Sequence, residues 1–147
     1  MDRENVNIQT NSEQETIDFA CGLARGLHSG DVVLLHGNLG MGKSVISRAI
    51  IRALCGNPDM EVPSPTFTLV QMYEASSDVI WHFDLYRLAD TSEIYELGWE
   101  EALSGGIALV EWPERLGNMY PASYVDIVIN SIEGKPDMRQ IEVEYVS

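Results

Sequence analysis

The sequence predicts an α/β fold, a three-layer sandwich whose central, mostly parallel sheet is extended by antiparallel strands, and three observations predict it. Two short runs, Val32-Val33-Leu34-Leu35 and Ile107-Ala108-Leu109-Val110, are apolar throughout, as expected of strands buried on both faces of a parallel sheet. The first run leads through His36 into Gly37-Asn38-Leu39-Gly40-Met41-Gly42-Lys43-Ser44, spaced G-x-x-x-x-G-K-S, and then into a helical stripe of Ile46, Ala49, Ile50, Ala53 and Leu54. Near the end, Val125, Ile127 and Ile129 alternate with polar neighbours, as do Ile141, Val143 and Tyr145. The turn Glu133-Gly134-Lys135-Pro136-Asp137 between them reads as an antiparallel hairpin at the sheet edge. Strand, glycine loop and helix in that order are the local pattern of a P-loop NTPase-like fold.

The remaining elements follow in chain order. Ser12 with Glu15 makes a capping-box pattern, and Ile17, Ala20, Cys21, Ala24 and Leu27 continue it as a helical stripe that stops at Ser29-Gly30-Asp31. Cys55-Gly56-Asn57-Pro58 ends the helix after the glycine loop. Val62-Pro63-Ser64-Pro65-Thr66 is kept out of helix by its two prolines and reads as an ordered loop or a switch. Residues 67–73 and 79–84 read as a strand hairpin joined by the polar turn 74–78. Alternation along the second strand puts His82 and Asp84 on one face, Phe83 and Leu85 on the other. Thr91 or Ser92 is positioned to cap a helix through Ile94 and Leu97, Gly98 interrupts it, and residues 99–103 resume it before Gly105 and Gly106 introduce the second buried run.

Length and charge bound the function. A chain of 147 residues suits a single domain, 1–147, with one site. Its 23 acidic against 9 basic residues, a net charge of −14, repel phosphate backbones and argue against autonomous binding of DNA or RNA. The polar start, Met1 to Asn7, has no apolar signal core, and no 18 apolar residues run together, so a cytoplasmic protein without a membrane segment is expected. Cys21 and Cys55 have no C-x-x-C or histidine partner at ligand spacing and read as buried free thiols.

The glycine loop carries the first chemical statement. Glycines at 37, 40 and 42 let successive backbone N–H groups turn toward a phosphate. Lys43 adds a mobile positive charge, the Ser44 hydroxyl is a ligand of the kind Mg²⁺ accepts, and the following helix aims its positive end at the same point. Chemistry then gathers at the carboxyl ends of the parallel strands. Glu111 closes one of them, either as a carboxylate that holds Mg²⁺ or positions water, or as a solvated acid before Pro113. Asp84 closes the other, as a second such acid, a helix cap or a surface partner for Arg87. His82 with Asp84 also forms an H-x-D pair, a weak transition-metal pattern without further ligands at usable spacing. His36 reads as a packed or hydrogen-bonded scaffold residue, His28 as a partner for a helix dipole, and Trp112 as packing beneath the site or lying over a base.

Together these motifs resemble the TsaE (YjeE) family. The resemblance is carried by Gly37 to Ser44, Ser64-Pro65-Thr66-Phe67-Thr68-Leu69-Val70 followed by Tyr73, His82-Phe83-Asp84-Leu85-Tyr86-Arg87-Leu88, Glu96-Leu97-Gly98 and Glu111-Trp112-Pro113-Glu114. It implies a weak Mg²⁺-dependent ATPase that serves bacterial tRNA N6-threonylcarbamoyladenosine synthesis together with a TsaB–TsaD pair, meeting tRNA only through that complex. By the same resemblance ATP or ADP is held by Asn38, Leu39, Gly40, Met41, Gly42, Lys43, Ser44 and Val45, with Thr66 reaching phosphate or water from a switch-like loop. Ser44, Asp84 and Glu111 become the Mg²⁺ residues, and Lys43, Asp84 and Glu111 the hydrolytic ones. The family often has threonine at the position of Ser44 and an acid at that of Asn38; serine is an accepted alternative. Two other classes fit the P-loop alone: a small-molecule kinase, for which Arg87 and Arg115 are few as lid arginines, and a nucleotide-sensing adaptor with negligible hydrolysis.

Overall fold

The computed structural model describes residues 3–37, 42–76 and 78–147. The chain runs β1 (Val6–Thr10), α1 (Glu13–Ala24), β2 (Val32–His36), α2 (Lys43–Cys55), β3 (Val70–Glu74), β4 (Val79–Asp84), a 3-10 helix (Thr91–Leu97) and α3 (Trp99–Gly105). It continues with β5 (Ile107–Glu111), a second 3-10 helix (Pro113–Met119), β6 (Tyr124–Ile132) and β7 (Lys135–Val146). One seven-stranded sheet has the order β1-β7-β6-β2-β5-β4-β3. The four central strands, β6, β2, β5 and β4, are mutually parallel, while β3 on one side and β7 and β1 on the other pair antiparallel.

Period-two alternation divides the buried side chains into two layers. Val33, Leu35, Ile80, Leu109, Ile127 and Ile129 face α1 and α2, where Ala20, Ala24, Ile46 and Ile50 meet them. Val32, Leu34, Phe83, Ala108 and Val110 face the opposite way, onto Ile94, Trp99, Ala102 and Leu116. Helices on both faces are what continuous apolar strands require, since neither face is left to water.

Local signals set the element ends. Ser12 Oγ accepts the Glu15 N–H at 3.1 Å, and the Glu15 side chain returns to the Asn11 N–H at 2.8 Å. The sequence places the next cap at Thr91 or Ser92, but it is Asp90, which accepts from the Ser92 N–H at 3.0 Å while Glu93 Oε1 accepts from the Asp90 N–H at 2.7 Å. α1 ends at Ala24 with Arg25 as its cap, so His28 lies beyond the helix and is no dipole partner; its ring nitrogen instead lies 2.7 Å from the Arg3 guanidinium. Cys21 and Cys55 are free but only partly buried.

Two strand expectations are corrected. The hairpin of residues 125–145 was expected at the sheet edge, but Val6–Thr10 forms β1 against β7, so the β6–β7 hairpin lies one strand in from it. The strand expected from residue 67 begins at Val70. Leu69 takes a left-handed backbone (φ 71°), and its N–H donates to the Pro65 carbonyl at 2.6 Å, closing a turn that leaves Phe67 81% exposed.

Gly98 joins the first 3-10 helix to α3 at φ 94°, and a Cβ there would lie 2.6 Å from the Trp81 ring. Gly98→Ala is therefore expected to destabilise the fold by about 1–3 kcal/mol through backbone strain and overpacking. A lowered urea midpoint checks this, and an unchanged one contradicts the packing.

Candidate functional site

The parallel register brings the predicted residues to one end of the sheet. β2 pairs with β5 so that Leu35 faces Glu111, and β4 pairs with β5 so that Asp84 faces Glu111. Gly37 follows β2, and α2 starts at Lys43 behind Gly42, whose φ of 105° is left-handed and which provides no side-chain cap. The first N–H groups of α2 are thus left for another acceptor. A Cβ on Gly37 would come within 2.9 Å of Ile129, so the loop runs too close to β6 for any larger residue. Asn38, Leu39, Gly40 and Met41 lie outside the described residues.

A cavity of about 260 Å³ opens here, lined by Gly42, Lys43, Ser44, Val45, Thr66, Asp84 and Glu111, with Ser64 and Trp112 at its border. Every site residue expected from the sequence and described in the structure borders it. A larger cavity of about 580 Å³ between α1 and α2 contains neither strand-end acid nor Lys43. A narrow recess of about 80 Å³ on the other side of Gly42 and Val45 is bordered by Thr16, Ile129 and Arg139. Nothing in the sequence placed Ile129 and Arg139 here, because β6 and β7 bring them in from the far end of the chain.

Lys43 is 5% exposed, and its Nζ has no hydrogen-bond partner among the described residues. It lies 3.4 Å from the centroid of the Trp112 ring, a cation–π contact. Burial pulls its ammonium below the usual lysine range, against the attraction of Glu111, Glu114 and Asp84. Trp112 therefore lies under the lysine, with its backbone left-handed at φ 60°. The sequence offered packing or a base platform, and nothing in it signalled this contact.

The two acids differ in their surroundings. Glu111, 3% exposed, receives the Ser44 hydroxyl at Oε1 (3.2 Å), and its Oε2 lies 2.7 Å from His82 Nε2. Burial pushes its carboxyl up, but the His82 hydrogen bond and charge, the Ser44 hydroxyl and the Lys43 ammonium outweigh burial and hold it below the usual glutamate range. Asp84, 4% exposed, accepts the Tyr86 N–H and the Thr66 hydroxyl, each at 3.1 Å. Thr66 Oγ1 is in turn 2.8 Å from Ser64 Oγ, so the proline-bounded loop is tied to the strand-end acid. His82 turns to Glu111 rather than joining Asp84 in a metal pair, and His36 Nε2 is 2.6 Å from Asp126 Oδ1, a scaffold contact.

The donor set suits a hard cation shared with phosphate. Ser44 Oγ and two buried carboxylates supply oxygen ligands only, and Mg²⁺ takes few of these because it keeps waters and phosphate oxygens. Among the described residues no group of three or more His, Cys, Asp or Glu is placed to hold a metal by itself. The buried Lys43 ammonium without an acceptor suits an anion.

Parallel strands, one leading into Gly37 and two ending on Asp84 and Glu111, around the start of α2 place the protein in the P-loop NTPase-like fold class. Its backbone matches the crystal structure of Bacillus subtilis YdiB with a TM-score of 0.77 at 26% identity, over 98% of this chain and 87% of that one. The model of the family described as "Threonylcarbamoyl adenosine biosynthesis protein TsaE" matches residues 10–141. The tRNA threonylcarbamoyladenosine biosynthesis protein TsaE of Rickettsia bellii is 42% identical over 142 residues, 95% of this chain and 98% of that protein. Its Haemophilus influenzae counterpart is 37% identical over 113 residues, 76% and 68% of the two chains. The chain belongs to the TsaE family.

Proposed function

We propose that this chain, as one domain spanning 1–147, binds ATP and ADP with Mg²⁺ at residues 37–45 and hydrolyses ATP slowly. In this role it is an accessory of tRNA N6-threonylcarbamoyladenosine synthesis in the cytoplasm, acting with a TsaB–TsaD pair and reaching tRNA only through it. The observation that supports the reading is the convergence of a buried, acceptorless Lys43 with Ser44, Thr66, Asp84 and Glu111 on one cavity. Relatives named for this biosynthesis supply the pathway.

Lys43 moves from the Trp112 ring to β- and γ-phosphate oxygens, where its charge is repaid. Ser44 Oγ and the strand-end acids hold Mg²⁺, which would withdraw charge from the phosphates when bound. Glu111 orients the attacking water. Thr66 exchanges its bond to Asp84, and Ser64 its bond to Thr66, for the nucleotide, and so they couple its state to the exposed Phe67 turn. The recess beyond Gly42 and Val45, next to Thr16, is the place left for the base. Catalysis by these groups is positioning and charge stabilisation.

Free phosphate as product, with release rising when the purified TsaB–TsaD pair is added, is the expected result. Phosphate release that stays flat on adding the pair, or a phosphorylated metabolite in its place, would refute the reading. Mass spectrometry of tRNA nucleosides tests the pathway: cells depleted of this protein should lose the modification and regain it only from the unaltered chain.

A further inference from the structure

We infer that His82 is a positioning residue for Glu111: its ring, buried behind the carboxylate, fixes the orientation in which Glu111 faces the site. The inference rests on the hydrolytic role proposed for Glu111. His82 lies on β4 two residues before Asp84, is 1% exposed, and touches the cavity with no atom, so it acts only through its neighbour. Its Nε2 is 2.7 Å from Glu111 Oε2. An ionised carboxylate only accepts, so His82 Nε2 carries a proton and donates it to Glu111 Oε2.

His82 Nδ1 is buried and has no hydrogen-bond partner among the described residues. A histidine kept in a sheet core for packing alone would be a poor choice, because burying two ring nitrogens to satisfy one costs more than an apolar ring of the same shape. The polar contact the ring does make is with Glu111, whose other oxygen is occupied by Ser44. Two donors on opposite oxygens define the plane of the carboxylate. Ser44 alone would leave it free to rotate about its last bond, and Oε2 would be a buried anionic oxygen without a donor. Second-sphere donors of this kind typically change rates by about 10–100-fold when removed.

The test uses His82→Phe, which keeps the ring and loses the donor, and His82→Gln, which keeps an amide N–H within reach of Oε2. Single-turnover phosphate release from ATP and ADP affinity by calorimetry are measured for both, for Glu111→Gln and for the double variant His82→Phe/Glu111→Gln. His82→Phe should slow release about 10–100-fold with ADP affinity within about 3-fold of the unaltered chain. His82→Gln should recover most of the rate, and the double variant should be no slower than Glu111→Gln alone. Normal release in His82→Phe, a His82→Gln no better than His82→Phe, or a double variant slowed by the product of both effects would each overturn the inference. If His82→Phe does not fold, the comparison of His82→Gln with the unaltered chain decides: release slowed tenfold or more overturns the inference. Undiminished release in Glu111→Gln would instead refute the underlying role of Glu111.

Discussion

Lys43→Ala is expected to reduce ADP and ATP affinity by about 10–100-fold, the loss of charge-assisted hydrogen bonds worth roughly 1.5–3 kcal/mol. The surroundings of Lys43 explain why the loss should be specific to the ligand. Lys43 Nζ has no acceptor among the described residues and rests against the Trp112 ring at 3.4 Å, with its ammonium held below the usual range by burial. The folded chain thus keeps a desolvated cation that its own hydrogen bonds do not repay. Lys43→Met, which retains the aliphatic stem, should therefore melt no lower than the unaltered chain when nucleotide is absent. The two should separate when ADP is added. At 100 times the unaltered dissociation constant a ligand stabilises by about 2.7 kcal/mol, whereas a 100-fold weaker site gains only about 0.4 kcal/mol under the same conditions. Thermal melting with and without ADP reads both effects. Equal ADP-induced shifts would remove Lys43 from the site, and a large drop in the empty melting temperature would make it a structural residue.

The parts of this site that were legible in the sequence are those whose signal is local. Val32-Val33-Leu34-Leu35 and the run ending on Glu111 are continuous and apolar because helices cover both faces, and the glycine spacing before Lys43 needs no partner to be read. Alternation alone placed His82 with Asp84, and the register of β4 against β5 then set Asp84 opposite Glu111. What was not legible depends on contacts between distant segments. β1 is held by main-chain bonds to β7 and is mostly exposed, so its Val6-Asn7-Ile8-Gln9 alternation is too short and too little buried to announce a strand. Phe67, Thr68 and Leu69 have strand-forming composition, but the Leu69 bond to Pro65 turns them out of the sheet. The His82–Glu111 pair spans 29 residues, and neither side chain predicts the other until two strands are known to be neighbours. Trp112 reaches Lys43 from a left-handed backbone that its residue type disfavours.

Glu111→Gln is expected to slow phosphate release by about 100-fold or more, the order seen when a catalytic proton acceptor is lost, while ADP affinity changes little. The geometry makes this substitution a clean one. A glutamine can turn its oxygen to the His82 N–H and its amide to Ser44 Oγ, so both neighbours keep a hydrogen bond and only the charge is removed. The charge has its own signature in stability. Because the folded state holds Glu111 below its ordinary value of 4.5, folding favours the ionised form. That contribution is fully present above the unfolded value and is lost as pH falls through the depressed folded value, so the unaltered chain should lose stability on acidification in that window. Glu111→Gln cannot titrate and should lack this component of the slope. Urea midpoints measured from neutral pH down to about pH 3 in both chains give the comparison. Identical slopes would mean that Glu111 is not held ionised by His82, Ser44 and Lys43. Parallel losses of release and affinity would instead leave Glu111 only its part in holding Mg²⁺ and remove it from the attacking water, because a group that acts on the water alone has no reason to weaken the binding of ADP.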